Sequence, residues 1–202
     1  MKLYSYNIKQ MTEHTYLEWI NLVSEEKKRR IERFIRESDK KLCLAGDALA
    51  RRAIHEMCGI RLEEIKLLRD KFGKPYADNL GIHFNISHSG EWVICGIDDK
   101  PIGVDIERVT RANMDTARIF CTDNELSYIF DNCKRDMHER FFRIWTLKEA
   151  YFKNIGTGLV DMKGISFFID NNGGVSCNKE GYTFESLNSI DSYIVSICRR
   201  IN

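Results

Sequence analysis

Residues 103–108, Gly-Val-Asp-Ile-Glu-Arg, alternate apolar and charged side chains with the period of a strand. Val104 and Ile106 fall on one face, and Asp105 and Glu107 share the other. Two adjacent carboxylates repel each other. Such a strand either shows a solvated acidic face or holds the pair for something positive. A hard divalent cation that takes oxygen ligands, such as Mg²⁺, is a partner of that kind. Six residues allow both readings, and the rest of the chain must decide between them.

The neighbouring sequence is a succession of elements with clear punctuation. Leu3 to Ile8 alternates as a strand, and His14 to Val23 carries Leu17, Ile20 and Val23 at helical spacing. Ser24 is placed to cap a second helix, with Glu25 and Glu26 in its first turn and the basic run 27–30 leading on to Phe34 and Ile35. From Ser38 to Met57 a stripe of Leu42, Ala45, Leu49, Ala53 and Met57 predicts a helix ending at Gly59. Lys40, Asp47, Arg51 and His55 fall opposite that stripe, where Arg51 is either plain surface charge or a group aimed into a site. Phe72-Gly73-Lys74-Pro75 reads as a loop. Ile82, Phe84 and Ile86 mark a strand ending in Ser87-His88-Ser89-Gly90. Residues 92–97 form a buried-type strand, and 98–101 turn the chain into the acidic strand. On this reading Ser87-His88 and the Asp105/Glu107 pair lie on consecutive strands and can meet in space.

The second half repeats that order. Thr122-x-x-Glu125 is a capping box. Met137 to Asn154 reads as one long helix stopped by Gly156 and Gly158, and 165–169, 182–186 and 193–198 read as closing strands. No repeat shows in the letters themselves. The expected fold class is α+β, with two similar α/β halves related by a pseudo-twofold, each a small antiparallel sheet packed by helices. The expected division is 1–101 and 102–202.

Composition narrows the function classes. A net charge of +1 leaves no general nucleic-acid or membrane-surface binder, so a basic site must be local. Seven scattered cysteines without a C-x-x-C pair, no apolar run after Met1-Lys2 and no span of bilayer length indicate a reducing, cytoplasmic setting with thiols in the core.

Within the long helix, residues 145–153 read Trp-Thr-Leu-Lys-Glu-Ala-Tyr-Phe-Lys. Glu149 and Lys153 share a face at i,i+4, ordinarily a surface pair worth a few tenths of a kcal/mol. Here Ile144, Trp145, Leu147, Tyr151 and Phe152 cover most other directions, and a helix apolar nearly all round is buried. A buried glutamate and lysine need partners. A third carboxylate closing on Asp105 and Glu107 would offer a metal three oxygen ligands, with lysines beside it for phosphate.

Four segments taken together, Gly73-Lys74-Pro75, Phe84-Asn85-Ile86-Ser87-His88-Ser89, Gly103-Val104-Asp105-Ile106-Glu107 and residues 145–153, resemble the phosphopantetheinyl transferases of the surfactin-synthetase-activating type in order and spacing. The resemblance spans residues 24 to 160. The length suits the monomeric type rather than the half-length trimeric carrier-protein synthases.

The resemblance implies transfer of the 4′-phosphopantetheine arm of coenzyme A to a serine of an apo carrier protein, leaving adenosine 3′,5′-bisphosphate. It implies Mg²⁺ held by Asp105, Glu107 and Glu149, with Glu149 also the base and Lys153 on the phosphate under attack. Coenzyme A contacts are implied for Lys74, Ser87, His88, Arg51, Lys148 and Lys153, and for Lys27 and Arg30 at the 3′-phosphate. Lys148 belongs to the motif but points about 100° away from Glu149. Many relatives carry an arginine where this chain has Leu42, with Lys40 and Lys41 near to substitute. Glu125 is read as a helix cap outside the site. Carrier docking near Ile119, Phe120 and Leu126 competes with their reading as a core stripe. Two other functions use the same residues: a metal-dependent nucleotide pyrophosphate hydrolase, and a coenzyme A or carrier-protein binding module without turnover.

Overall fold

Punctuation in the sequence sets most element ends. In the computed structural model, which describes residues 1–71, 73–131 and 136–201, the chain divides into two units, Met1–Asp99 and Lys100–Asn202. The first runs β1 (Lys2–Asn7), α1 (Glu13–Ile20), α2 (Glu25–Glu32), α3 (Glu37–Cys58), β2 (Leu67–Arg69), β3 (Pro75–Ala77), β4 (His83–Ser89) and β5 (Trp92–Asp98). The second runs β6 (Ile102–Arg108), α4 (Met114–Phe120), α5 (Asp123–Phe130), α6 (Met137–Ile155), β7 (Phe167–Ile169), β8 (Val175–Cys177), β9 (Tyr182–Leu187) and β10 (Tyr193–Arg200).

Each unit is a three-stranded antiparallel sheet, in the order β1-β5-β4 or β6-β10-β9, covered by one long helix and accompanied by a short hairpin. This is the α+β class. The likeness extends to detail. Both long helices end on a left-handed glycine, Gly59 after α3 and Gly156 after α6, where a side chain would be strained. Both hairpins, β2–β3 and β7–β8, turn through Asp-x-x-Gly: Asp70 and Asp170 each accept a bond from a backbone N–H of the turn they open, and Gly73 and Gly173 take positive φ. The segment expected as a loop at 73–75 is therefore the return of a hairpin, with Phe72 outside the described residues. Three-residue strands are too short to show alternation.

The strand that carries Ser87 and His88 is not consecutive with the acidic strand. β4 pairs with β5 in the first unit's sheet, whereas β6 pairs with β10 in the second unit's. The turn at 98–101 leaves one sheet and opens the next.

Helix α2 starts at Ser24, whose hydroxyl accepts from Lys27 N, but it stops at Glu32, and Ile35 is fully exposed. In α3 the predicted stripe packs on the sheet through Leu42, Ala45, Leu49 and Ala53 against Phe84, Val93 and Cys95, while Met57 escapes it. The second core is aromatic. Phe120 meets Trp145 edge-on at 5.0 Å, and Phe167 meets Phe184 at 4.8 Å, geometries that favour ring quadrupoles. Phe120 is thus core, while Ile119 stands exposed. Cys95, Cys121 and Cys198 are buried as expected, Cys43 and Cys177 are half-buried, and Cys58 is exposed. Among the described residues no helix is long and apolar enough to cross a membrane.

Candidate active site

The acidic strand and the long helix of the second unit are held unusually close. A Cβ at Gly103 would lie 2.0 Å from the Ala150 carbonyl oxygen and 2.5 Å from the Asn154 N, so only glycine lets β6 and α6 approach this closely. Asn154 locks that approach by donating to the Pro101 and Cys198 carbonyls at 2.8 and 3.0 Å, and Thr146 bonds Ser196 at 2.7 Å. The helix is therefore fixed in rotation and height above the strand.

That docking places Glu149 and Lys153 over Asp105. Lys153 Nζ lies 2.5 Å from Asp105 Oδ1, with Asp105 almost fully buried. Burial, then the Asp105 charge, push the half-buried Glu149 carboxyl above its ordinary range; Lys153 pulls it back, and Glu107 adds a smaller push. The charges of Asp105 and Glu107 are thus both felt at Glu149, the acid expected to join them. Among the described residues no three metal-type side chains stand close enough to form a ready ligand set. The donors are nevertheless of the right kind for a hard dication, and Asp105 already accepts a cation, the Lys153 ammonium.

Lys148 is elsewhere. It is fully buried, 3.0 Å from Glu125 Oε2, and donates to the Met162 and Ile165 carbonyls at 2.7 and 2.6 Å. Glu125 is the expected cap, accepting from Thr122 N at 2.7 Å, and is also the counter-ion of Lys148 and the acceptor for Phe167 N at 2.9 Å. Desolvation pushes the Lys148 ammonium down, and Glu125 opposes it.

The first unit repeats this anchor. Arg51 precedes Gly59 by the same spacing as Lys148 precedes Gly156, and it too is buried, donating to Asp47 at 2.7 Å and to the Leu62 and Ile65 carbonyls at 2.9 and 2.7 Å. The face opposite the α3 stripe is therefore not solvated at Asp47 and Arg51. The next pair along shows why one unit carries the acids. Where α6 has Glu149 and Lys153, α3 has Arg52 and Glu56, joined at 2.8 Å, with Tyr4 on Glu56 at 2.7 Å and its phenol pushed up to about 12, chiefly by burial. The charges are reversed and satisfied locally.

The first unit instead holds a cavity of about 570 Å³, lined by α2, α3, the β2–β3 hairpin and β4. Lys27, Arg30 and His88 face it, as the sequence suggests for anion contacts, with Phe34 and Tyr76 as aromatic walls. Lys27 also pairs with Asp47 at 3.7 Å. Ser87, one residue before His88, is buried in the sheet. Lys74 stands on the hairpin turn, its ammonium pushed down by burial and partly restored by Asp70. The sequence gives no sign of Arg69, at the end of β2, which lines the same cavity; Asp70-x-x-Gly73 was the available clue to its hairpin.

Comparison with known proteins agrees across both units. Residues 10–98 match the family described as 4′-phosphopantetheinyl transferase, N-terminal, and residues 101–198 match the 4′-phosphopantetheinyl transferase superfamily. The 4′-phosphopantetheinyl transferase gsp of Aneurinibacillus migulanus is 37% identical over 150 residues, 74% of this chain and 62% of the relative. The 4′-phosphopantetheinyl transferase Sfp of Bacillus subtilis is 33% identical over 161 residues, 79% of this chain and 72% of the relative. The chain thus spans less than two thirds of the first relative's length. A Thermotoga maritima holo-[acyl-carrier-protein] synthase structure aligns over 48% of this chain and 61% of its own, with 24% identity and a TM-score of 0.41. Matched in both units, and one-third identical to the Bacillus protein over most of either chain, this chain belongs to the 4′-phosphopantetheinyl transferase family, among its Sfp-like members.

Proposed function

We propose that the chain, as a monomer, transfers the phosphopantetheine arm of coenzyme A to a serine of an apo carrier protein. The observation that carries this reading is the Lys153–Asp105 contact between α6 and β6, set by the glycine approach, which leaves the Glu149 carboxyl under the influence of the Asp105 and Glu107 charges. Displacement at a diphosphate needs charge neutralisation and positioning more than covalent help from the protein. Asp105, Glu107 and Glu149 would hold Mg²⁺, which when bound neutralises the diphosphate oxygens.

This chain's own groups do the rest. Glu149 takes the proton of the serine hydroxyl, directly or through water; a carboxyl lifted by burial is a better base at neutral pH than an exposed one. Lys153 exchanges Asp105 for an oxygen of the phosphate under attack. Lys27, Arg30 and His88 supply cations to the nucleotide end, and Phe34 and Tyr76 suit a base. Lys74 supports the hairpin side. Arg51 and Lys148, each already bonded to a carboxylate and two carbonyls, are positioning residues in this scheme.

The test is intact mass. Wild-type protein with coenzyme A and Mg²⁺ adds a phosphopantetheine mass to an apo carrier protein, and a chelator stops it. Glu149→Gln lowers the rate about 100-fold or more, and Asp105→Asn weakens Mg²⁺ binding measured by calorimetry. Failure to modify any member of a carrier panel overturns the proposal, and release of phosphopantetheine without a carrier would replace it with a hydrolase.

A further inference from the structure

The two long helices are fastened to their sheets by different chemistry. Counted back from the stop glycines Gly59 and Gly156, Leu49 of α3 stands where Thr146 stands in α6, and Met57 stands where Asn154 stands. The strands keep the same match. Tyr4, Cys95 and Ile86 lie side by side across β1, β5 and β4, and Asp105, Ser196 and Ser186 lie side by side across β6, β10 and β9. Bonds from the helices fix the correspondence, since Tyr4 meets Glu56 and Asp105 meets Lys153, each three residues before its stop glycine.

At this level the first unit is apolar: Leu49 and Cys95 are core, with Ile86 packed against them. The second unit has three hydroxyls instead. Thr146 and Ser196 are fully buried, with Thr146 Oγ1 2.7 Å from Ser196 Oγ. Thr146 donates its one hydroxyl hydrogen to the Arg143 carbonyl at 3.2 Å, which makes Ser196 the donor between the two hydroxyls. Ser186 Oγ is buried without a hydrogen-bond partner among the described residues. Burying a hydroxyl without a partner is destabilising. Stability alone therefore favours the apolar packing that the same fold already uses in the first unit.

What the hydroxyls add is direction. Apolar contact is non-directional and lets a helix slide, whereas an O–H···O bond holds its length within a few tenths of an ångström. Thr146 is three residues before Glu149, about 4.5 Å along the helix axis, and Ser196 is directly opposite Asp105. Asn154, after Glu149, is the second fastening, through the Pro101 and Cys198 carbonyls. Glu149 thus lies between two hydrogen-bonded points of α6. Arg52, its counterpart in α3, lies between Leu49 and Met57, whose side chains have no donor to offer.

We infer that Thr146, acting through Ser196, is a positioning residue for the transfer reaction: the pair holds Glu149 at one height over Asp105 and adds little to stability. This rests on the transferase reading above.

The test is the double variant Thr146→Val/Ser196→Ala, which removes both hydroxyls with little change of shape. Replacing both partners of a hydrogen bond by apolar groups is nearly neutral for stability, so Tm stays close to wild type. The variant's kcat falls about ten-fold or more, with KM for coenzyme A held within about two-fold. Mg²⁺ binding, measured by calorimetry with no carrier present, weakens about ten-fold alongside. Thr146→Ser keeps the hydroxyl and restores kcat and Mg²⁺ affinity to near wild type. A double variant with wild-type kcat and Mg²⁺ affinity overturns the inference. So does a Thr146→Ser protein as slow as the double variant, or a loss of rate that appears only with a matching loss of Tm. If wild type modifies no carrier but its Mg²⁺ binding still depends on the two hydroxyls, the positioning role stands and the transferase reading falls.

Discussion

Gly103→Ala changes one methyl group and tests the geometry of the whole acidic site. The new Cβ would sit 2.0 Å from the Ala150 carbonyl oxygen and 2.5 Å from the Asn154 N. Both are backbone atoms of α6, tied into the helix and unable to rotate away. Restoring ordinary contact requires strand and helix to separate by about 1 Å. Gly103 is not among the glycines with positive φ, so alanine is conformationally acceptable and gains roughly 0.5–1 kcal/mol by restricting the unfolded chain. Overpacking against immobile backbone costs about 1–3 kcal/mol and outweighs that gain. The net loss, up to about 2.5 kcal/mol, lowers Tm by up to about 10 °C. The effect on rate is larger, because Glu149 and Lys153 ride on α6 while Asp105 rides on β6. A displacement of 1 Å at such a site can cost about 100-fold. Gly46→Ala is the control: its Cβ would meet Ile86 Cγ2 at 3.1 Å, a side-chain atom that can give way, and helical alanine is favoured over glycine by about 1 kcal/mol. Thermal melts and conversion of apo to holo carrier followed by mass measure both variants. A Gly103→Ala protein with wild-type Tm and rate would refute the argument that this contact sets the site.

The remaining predictions are more local. Lys148→Met leaves Glu125 buried without its cation and two carbonyls without a donor, a loss of about 3–5 kcal/mol in urea titrations; adding Glu125→Leu recovers part of it, and no recovery would mean the pair is not the cause. Glu149→Gln raises stability at neutral pH. The Glu149 carboxyl is raised in the fold, so its contribution is fully present below its unfolded value near 4.5 and is lost as pH rises through the folded value. The difference between variant and wild type must therefore grow with pH across that window, and a constant difference contradicts it. Cys95 and Cys121, each pushed up to about 12 chiefly by burial, and Cys198, pushed up for the same reason, resist a thiol reagent at pH 8 until the protein unfolds, while Cys58 reacts at once. Peptide mapping after labelling reads this directly.

Local sequence already determined much of this protein. Apolar periodicity, the Ser24 and Thr122 caps and the stop glycines Gly59 and Gly156 mark long elements, because each acts within a few residues. That Asp105 and Glu107 share one strand and Glu149 and Lys153 one helix was legible, because spacings of two and four residues are themselves a strand face and a helix face. The chain order alone could not say that β6 opens a new sheet instead of extending the first one, since pairing depends on which edge is vacant once the core has packed. Nor could it separate Arg51 and Lys148, which anchor carbonyls, from Lys27 and Arg30, which face a cavity: lysine and arginine look alike until burial and partners are known. Arg69 was invisible for the same reason. It ends a three-residue strand, too short to show alternation, and only the folded chain puts it on the cavity wall.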